Sequence, residues 1–496
     1  MKPLGTITMC FPHVDGETRS VLQSLMEEAE NFSDFSSKLV NKVCSEPSSP
    51  LLEYFAFFFA YHIDDLSLTD KMEVAGNVPD LAEPLRLIIR IRRGNLITWN
   101  EMSQAVTKAL EVSPNDWITS HFYLLWRFHV EGCYAEVDLD LRTIETITES
   151  VNNNKDLEFF KLYLLAIKAA KSNSEGKIKE NLHFLKEALI IARKHDDQIL
   201  VSSLLNIIAN RTKHFDVNRA IDLLLSARET SERLGYRYNI GNIQHQLGHI
   251  LGLRGETSAA IDYQIEYQNI LESFALPTKV MDTVIAFYYN QIGNGEKALE
   301  FVTRAIEKTA SIRVVNAFTY IQMAWAFINL DRLDEAKDKL MIAHELTIKS
   351  GSPNKLMYYR GVEGLLDKAE QRFDAAIECF KEVLRFLEED PVPLWLNISL
   401  LTLVEIEIEL LTDESLEKKS DSSGPWMMRL IEHAEKNHLP GIAARALLLK
   451  AKLRQRQGQY DEVRKLLKEV QKAAESTSMR YLNDMAISMF PDIIVT

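Results

Sequence analysis

The chain has 496 residues, room for about three domains or one long array, and its 57 Lys+Arg against 71 Asp+Glu leave a net charge of −14. With 46% hydrophobic and 26% charged residues it is neither disordered, collagenous nor membrane-embedded, and 19 Gly and 14 Pro are too few for an all-β fold of many tight turns. The charge repels phosphate backbones, which disfavours nucleic acid as a partner.

Residues 1–50 form an N-terminal arm and helix. The segment MKPLGTITMCFPHVDGE has no apolar run behind Lys2 and does not read as a signal peptide; Gly5–Phe11 alternates enough for a short strand or extended arm. Thr18–Val43 reads as one helix, with Val21, Leu22, Leu25 and Met26 on a face. Tyr54–Tyr61, YFAFFFAY, lies between Glu53 and Asp64–Asp65. It is far short of the ~20 residues a membrane span needs and reads as a buried core helix. Residues 51–160 continue as helical pieces broken by Pro50, Pro79, Pro84 and Pro114, degenerate helix pairs that cap the N-terminal end of a repeat array. Cys10, Cys44, Cys133 and Cys379 are far apart and form no C-x-x-C pair, as expected of reduced, buried thiols in a cytoplasmic protein. In that context the Asn-x-Ser/Thr sites at Asn31, Asn210 and Asn397 are not expected to carry glycans.

From 161 to 390 the chain repeats itself. An apolar residue, a cap-like residue and a small residue open a helix at Leu333-Asp334-Glu335-Ala336, Phe373-Asp374-Ala375-Ala376 and Tyr460-Asp461-Glu462-Val463, with looser copies at Ala220, Ala260 and Ala298. Anchors at 220, 260, 298, 336 and 376 lie 38–40 residues apart. Two residues before the anchors stand Asn218, Ser258, Glu296, Asp334, Asp374 and Asp461, mostly side chains that satisfy the free amides of a helix start. Ala188 matches Ala227, Ala305 and Ala343 in the second helix and places a weaker copy near Asn181. Twelve residues before the anchors come Gly248, Ala286, Ala324 and Gly364, preceded by Leu247, Ile285 and Met323, with Glu363 breaking the fourth copy. A small position on each helix lets two antiparallel helices approach closely. One such pair cannot bury its apolar face alone, so neighbours must stack.

The next clear anchor, Val463, comes 87 residues after Ala376: two repeats and an insertion. Residues 391–440 are one repeat interrupted at 412–425, where TDESLEKKSDSSGP between the helix Leu394–Leu411 and the helix from Trp426 is an exposed loop, a solvated linker or a partner-contacting one. Residues 441–496 are a basic repeat. Lys450, Lys452, Arg454, Arg456, Arg464 and Lys465 form a candidate docking patch for an acidic protein, or a solvated face. The apolar tail Met489–Thr496 either packs on the last helix pair or serves as a docking peptide.

These paired small positions resemble the tetratricopeptide repeat, which has Gly or Ala at its eighth position and Ala at its twentieth and twenty-seventh. Gly248 with Ala260, Ala286 with Ala298 and Ala305, and Ala324 with Ala336 and Ala343 carry the likeness. The 38–40-residue copies lack the usual closing Pro and are similar to the tandem repeats of signal-sensing regulators of the maltose-regulator kind. The resemblance implies an all-α, right-handed superhelical solenoid of antiparallel helix pairs behind a short irregular N-terminal segment. It also implies a concave groove lined by the second, fifth, ninth and twelfth or thirteenth positions of each first helix. Carried over, the fifth and ninth positions give His245, His249, Thr283, Phe287, Ile321, Trp325, Gly361 and Leu365, with Phe318 and Tyr358 at second positions. The groove is then aromatic and apolar with few charges. It suits an apolar or amphipathic partner segment, unless Phe287 and Trp325 simply pack inside a tight superhelix. The Lys, Arg and Asn pattern with which some members clamp a terminal carboxylate is absent.

No catalytic constellation is present: no phosphate loop, nucleophile elbow, zinc-protease motif or dinucleotide fingerprint. Gly293-Asn-Gly295-Glu-Lys297 is a turn between repeat helices. His245 and His249 share a helix face but lack a third ligand for a metal, and His433 and His438 are badly spaced for one. The expectation is a non-catalytic protein-interaction scaffold or complex subunit for a protein or peptide partner, without cofactor, metal or membrane association and with homo-oligomerisation open. The competing expectation is a ligand-sensing module whose output domain is on another chain.

Overall fold

The computed structural model describes residues 16–62, 66–76, 82–92, 177–213, 215–273, 278–309, 317–389, 393–412 and 424–494, and a few isolated positions between 104 and 172. The arm at 5–11, Cys10, Cys133, Pro79, Pro114, most of the 51–160 cap and the 413–423 part of the insertion lie outside these residues. The fold is an all-α helical-repeat solenoid, with no strand among the described residues. Two compact units result, one of residues 1–246 and 269–277, the other of 247–268 and 278–496.

The first unit opens with α1 (Gly16–Glu28), α2 (Phe32–Ser45), α3 (Pro50–His62), α4 (Leu66–Ala75) and α5 (Glu83–Arg92). The single helix expected over Thr18–Val43 is in fact two. Asn31 accepts the amide of Asp34 at 3.0 Å while Asp34 accepts that of Glu30 at 3.0 Å, a reciprocal cap that starts a new helix. Pro50 begins α3 and Pro84 sits in the first turn of α5, where a missing N–H costs nothing. Tyr54–Ala60 are all buried. Phe59 meets Phe32 and Phe35 with ring centroids 5.6 and 5.5 Å away, and Phe55 and Phe58 pack on Phe59 at 5.8 and 5.4 Å. YFAFFFAY is therefore a core helix, and no helix among the described residues is long and apolar enough to cross a membrane.

The same unit continues through α6 (Ile178–Lys194), α7 (Gln198–Thr212), α8 (Val217–Leu234) and the first part of α9 (Arg237–Leu253). Ala188, Ala220 and Ala227 are wholly buried. A buried polar knot joins three helices: Ser202 donates to the Ala227 carbonyl at 2.9 Å, and Asn239 Nδ2 donates to Ser202 at 2.7 Å and Ser231 at 3.0 Å. Each group is satisfied, so its burial carries no desolvation debt.

The second unit holds the end of α9, most of α10 (Thr257–Ser273), and then α11 (Lys279–Gln291), α12 (Gly295–Thr309), α13 (Ala317–Asn329), α14 (Leu333–Ser350), α15 (Pro353–Ala369), α16 (Phe373–Glu389), α17 (Pro393–Glu409), α18 (Pro425–Lys436), α19 (Pro440–Arg456) and α20 (Tyr460–Ala474). Helices α11 to α20 pack as consecutive pairs. The anchors Ala260, Ala298, Ala336, Ala376 and Val463 are fully buried, as are the partner positions Ala286 and Ala324. A Cβ on Gly364 would stand 3.0 Å from Cβ of Cys379 on the paired helix, so the small residues sit where the helices touch. The copy hidden between Ala376 and Val463 is α18, where Met427 and Ala434 are buried at the anchor positions. A methionine there conceals the register from the sequence.

Five residues before the anchors the backbone is left-handed, at Gly255 (φ +78°), Gly293 (+78°), Asp331 (+57°), Gln371 (+62°) and Gly458 (+72°). That residue ends each first helix. The expected capping residues sit two residues too late. Asp334, Asp374 and Asp461 lie in the first helical turn, where they complement the macrodipole, while the side chains that bond helix-start amides are Asp216, to Arg219 at 2.9 Å, and Asn294, to Lys297 at 3.0 Å.

Beyond α20, α21 (Tyr481–Met489) and α22 (Pro491–Ile494) fold back on the last pair, with Phe490 fully buried among Val463, Leu467 and Leu482. The unit also returns on its own start. Gly441 N–H donates to the Arg254 carbonyl at 2.9 Å, Tyr481 Oη to that of Gly255 at 2.8 Å, and Arg480 pairs with Asp262 at 3.0 Å. Asn397 donates to the Leu253 carbonyl at 2.9 Å and accepts from His433 at 2.8 Å.

Candidate functional site

The first helices of the second unit carry a continuous aromatic band. Phe287 meets Tyr288, Phe318 and Trp325 with centroids 5.4, 6.2 and 5.8 Å away, Phe318 meets Tyr358 at 5.0 Å, and Trp395 meets both Trp325 and Tyr358, at 5.8 and 5.7 Å. The groove positions Phe287, Phe318, Ile321, Trp325, Tyr358 and Leu365 thus come together in one core, which Trp395 completes. Trp395 stands at a second position whose register was concealed with that of α18.

The band is filled rather than hollow. Phe287, Ile321, Trp325 and Trp395 are at most 6% exposed, and the half-buried edges of Phe318, Tyr358 and Leu365 are what remains at its border. Edge-to-face rings explain the filling, since such contacts reward close approach beyond area burial. His249 is spoken for as well, with Nδ1 2.8 Å from the Tyr288 hydroxyl, while burial drives the Tyr288 pKa far up and keeps it a phenol. His245 belongs to the first unit and is half-buried. No group of three metal-binding side chains occurs among the described residues.

Beside the aromatic band lies a pocket of about 250 Å³. Trp325 and Leu365 form its apolar wall, and its other side is polar: Asn290, Asn329, Lys368, Glu405 and Arg445, one from each of five successive first helices. Asn290 donates to the Gln322 carbonyl at 2.9 Å and Asn329 to the Asn290 carbonyl at 3.0 Å, an amide ladder along the wall. Lys368 is ion-paired with Glu405. Burial pushes the Glu405 carboxyl up, but Lys368, Arg445 and Lys452 outweigh it and hold the group below the usual carboxylate range. Arg445 makes no ion pair among the described residues and lines the pocket.

The residues expected to line an aromatic groove with few charges pack against one another in a core, and the pocket beside them is lined on one side by Lys368, Glu405 and Arg445. Asn290, Asn329 and Lys368 stand three or four residues beyond Phe287, Trp325 and Leu365, at the twelfth and thirteenth positions. The repeat register includes these positions, whereas the residues named from it stand at the second, fifth and ninth.

The basic residues of the last repeat divide between two roles. Lys452 pairs with Glu409 at 2.5 Å, and Arg456 bonds the carbonyls of Ile408 and, at 2.9 Å, Leu411. Both thereby finish the C-terminal end of α17. Arg454 donates to Gln457 at 2.8 Å and Lys450 is half-buried. Arg464, paired with Asp461 at 3.1 Å, and Lys465 are the exposed members. Six like charges in sequence become a thinner surface because the helix end consumes two of them. Cys379 is buried, and that burial pushes its thiol up to about 12, which suits an inert core residue.

No family model matches the chain, and no curated protein does. Solved structures are similar to it. A Rap protein complexed with competence and sporulation factor has a TM-score of 0.48 at 14% identity, covering 75% of this chain and 99% of that one. The apo quorum sensor NprR from B. thuringiensis has 0.36 at 14%, covering 81% and 99%. A signal-transduction ATPase with a tetratricopeptide-repeat sensor from Pyrococcus horikoshii has 0.43 at 14%, covering 73% of this chain and 54% of that one, so the chain spans about half of it.

Proposed function

We propose that the chain is a non-catalytic binding module that holds a segment of a protein or peptide partner in the second unit. The observation that carries this is the pocket itself, in which five successive first helices each contribute at least one polar side chain beside an aromatic wall. A surface so preformed reduces the ordering cost of association. The partner segment lays an apolar side chain against the edges of Phe318, Tyr358 and Leu365, and places polar or anionic groups over the amide ladder and Arg445. Phe287, Ile321 and Trp325 act from behind, as the support that holds this border in place.

The test is affinity purification of the full chain and of an Arg445→Gln, Leu365→Ala variant from the native cells, followed by synthesis of the captured segment and calorimetric titration. The segment should bind the wild type and lose about tenfold or more on the variant. Equal binding by a folded variant would remove the pocket from the account.

A second reading, a ligand-sensing module, is favoured by the seam between Arg254–Asp262 and Gly441–Tyr481. A ligand that alters repeat curvature would tighten or open that seam. Ligand-dependent change in the radius of gyration distinguishes the two readings.

A further inference from the structure

The first unit contains two half-buried cations without a counter-charge among the described residues. Arg211 lies in the last turn of α7, and Lys213 is that helix's C-cap. Neither has a carboxylate partner among the described residues. Lys213 Nζ bonds only Gln246 Oε1, at 3.1 Å, reaching across to α9 rather than to the carbonyls that end its own helix. Arg211 Nε is buried without any hydrogen-bond partner. The favourable dipole of the α7 terminus accounts for one exposed cation there. It does not account for two that are withdrawn from water, because a buried charge without a counter-charge is among the costliest arrangements a fold can keep.

We propose that Arg211, Lys213 and Gln246 form a binding site for an anionic oxygen group, a carboxylate or a phosphoryl group carried by a ligand of the first unit. An oxyanion here accepts from Lys213 Nζ and the Arg211 guanidinium at once, and supplies the charge that neither finds among the described residues. Burial first, and Arg211 second, push the Lys213 amine down to about 8, so it is still mostly protonated at neutral pH and able to attract the anion. The site is independent of the pocket in the second unit.

The experiment is thermal unfolding of the full chain in chloride, inorganic phosphate or succinate at constant ionic strength. It is repeated on Lys213→Met, on Arg211→Gln and on the pocket variant Arg445→Gln. Phosphate or succinate should raise the melting temperature of the wild type and of Arg445→Gln by roughly 2–4 °C, and should leave Lys213→Met and Arg211→Gln unmoved. A response to phosphate alone assigns a phosphoryl group, and one to succinate alone a carboxylate. If neither anion stabilises the wild type, or if both first-unit variants respond as it does, the site is refuted. Loss of the response in Arg445→Gln with its retention in Lys213→Met equally overturns it.

Discussion

Gly255 and Gly441, 186 positions apart, pack backbone against backbone. A Cβ on Gly255 would stand 2.7 Å from the Gly441 carbonyl carbon, and the Gly441 N–H bonds the carbonyl just before Gly255 at 2.9 Å. No larger residue fits on either side, so the return of the second unit on its own start depends on two missing side chains. Gly441→Ala should therefore lower stability by about 1–3 kcal/mol, the usual cost of overpacking, and enlarge the radius of gyration. Urea unfolding and small-angle scattering check both, and an alanine variant of unchanged size and stability would show that the seam does not hold the unit.

The left-handed residue before each anchor gives a stabilising prediction. Three of the five are glycine, whereas Asp331 and Gln371 hold φ near +60° with a side chain present. Relief of that backbone penalty, offset in part by glycine's greater freedom in the unfolded chain, makes Asp331→Gly and Gln371→Gly each more stable by about 0.5–1 kcal/mol. Gly458→Ala, with open space around its Cβ, should lose a similar amount through strain alone. Denaturant midpoints at constant slope measure all three.

Asp282 is wholly buried on α11 and is shared by Gln268 Nε2 at 2.6 Å, Lys308 at 2.8 Å and Arg304. Its removal leaves two cations facing a buried void. Because both cations retain about a third of their exposure, water relieves part of the cost, and Asp282→Ala should lose about 2–4 kcal/mol. A loss below about 1 kcal/mol would mean that the cluster is solvent-screened like a surface pair.

Lys213 predicts a pH dependence. Its folded-state pKa, about 8, lies below the value of 10.5 expected in the unfolded chain. Between those values the unfolded state binds more protons, so stability rises with pH. The penalty of the buried charge is fully present below pH 8 and is gone above pH 10.5. Stability of the wild type relative to Lys213→Met should accordingly improve by on the order of 3 kcal/mol between pH 7.5 and 10.5. Taking the difference cancels the other groups that titrate there. A flat difference would place the amine in water.

Much of this protein is legible residue by residue. The alanine and glycine positions are recoverable because each acts between helices close in sequence, one small residue facing another about twelve positions away. The α18 copy escapes because Met427 and Ala434 satisfy the packing with a different size at the anchor, and volume rather than identity is what the contact requires. The pocket is half legible: Trp325 and Leu365 follow from the repeat register, while Glu405 and Arg445 follow only once the positions of α17 and α19 are known. The basic patch misleads because a count of charges does not record that Arg456 is bound to the end of α17.

Helicity, repeat length and the buried face of each helix follow from the amino-acid order itself, because they rest on local spacing and on the need of each pair to cover its neighbour. Curvature does not, since a small rotation per repeat, set by side-chain volumes at every interface, accumulates over many helices. Only the tertiary structure decides that Gly255 meets Gly441, that Phe287 and Trp325 are walled in rather than offered to a partner, and that five polar side chains from five repeats converge on one pocket. The same holds for Arg211 and Lys213: their charges are plain in the sequence, and their lack of a carboxylate partner among the described residues is a property of the folded neighbourhood.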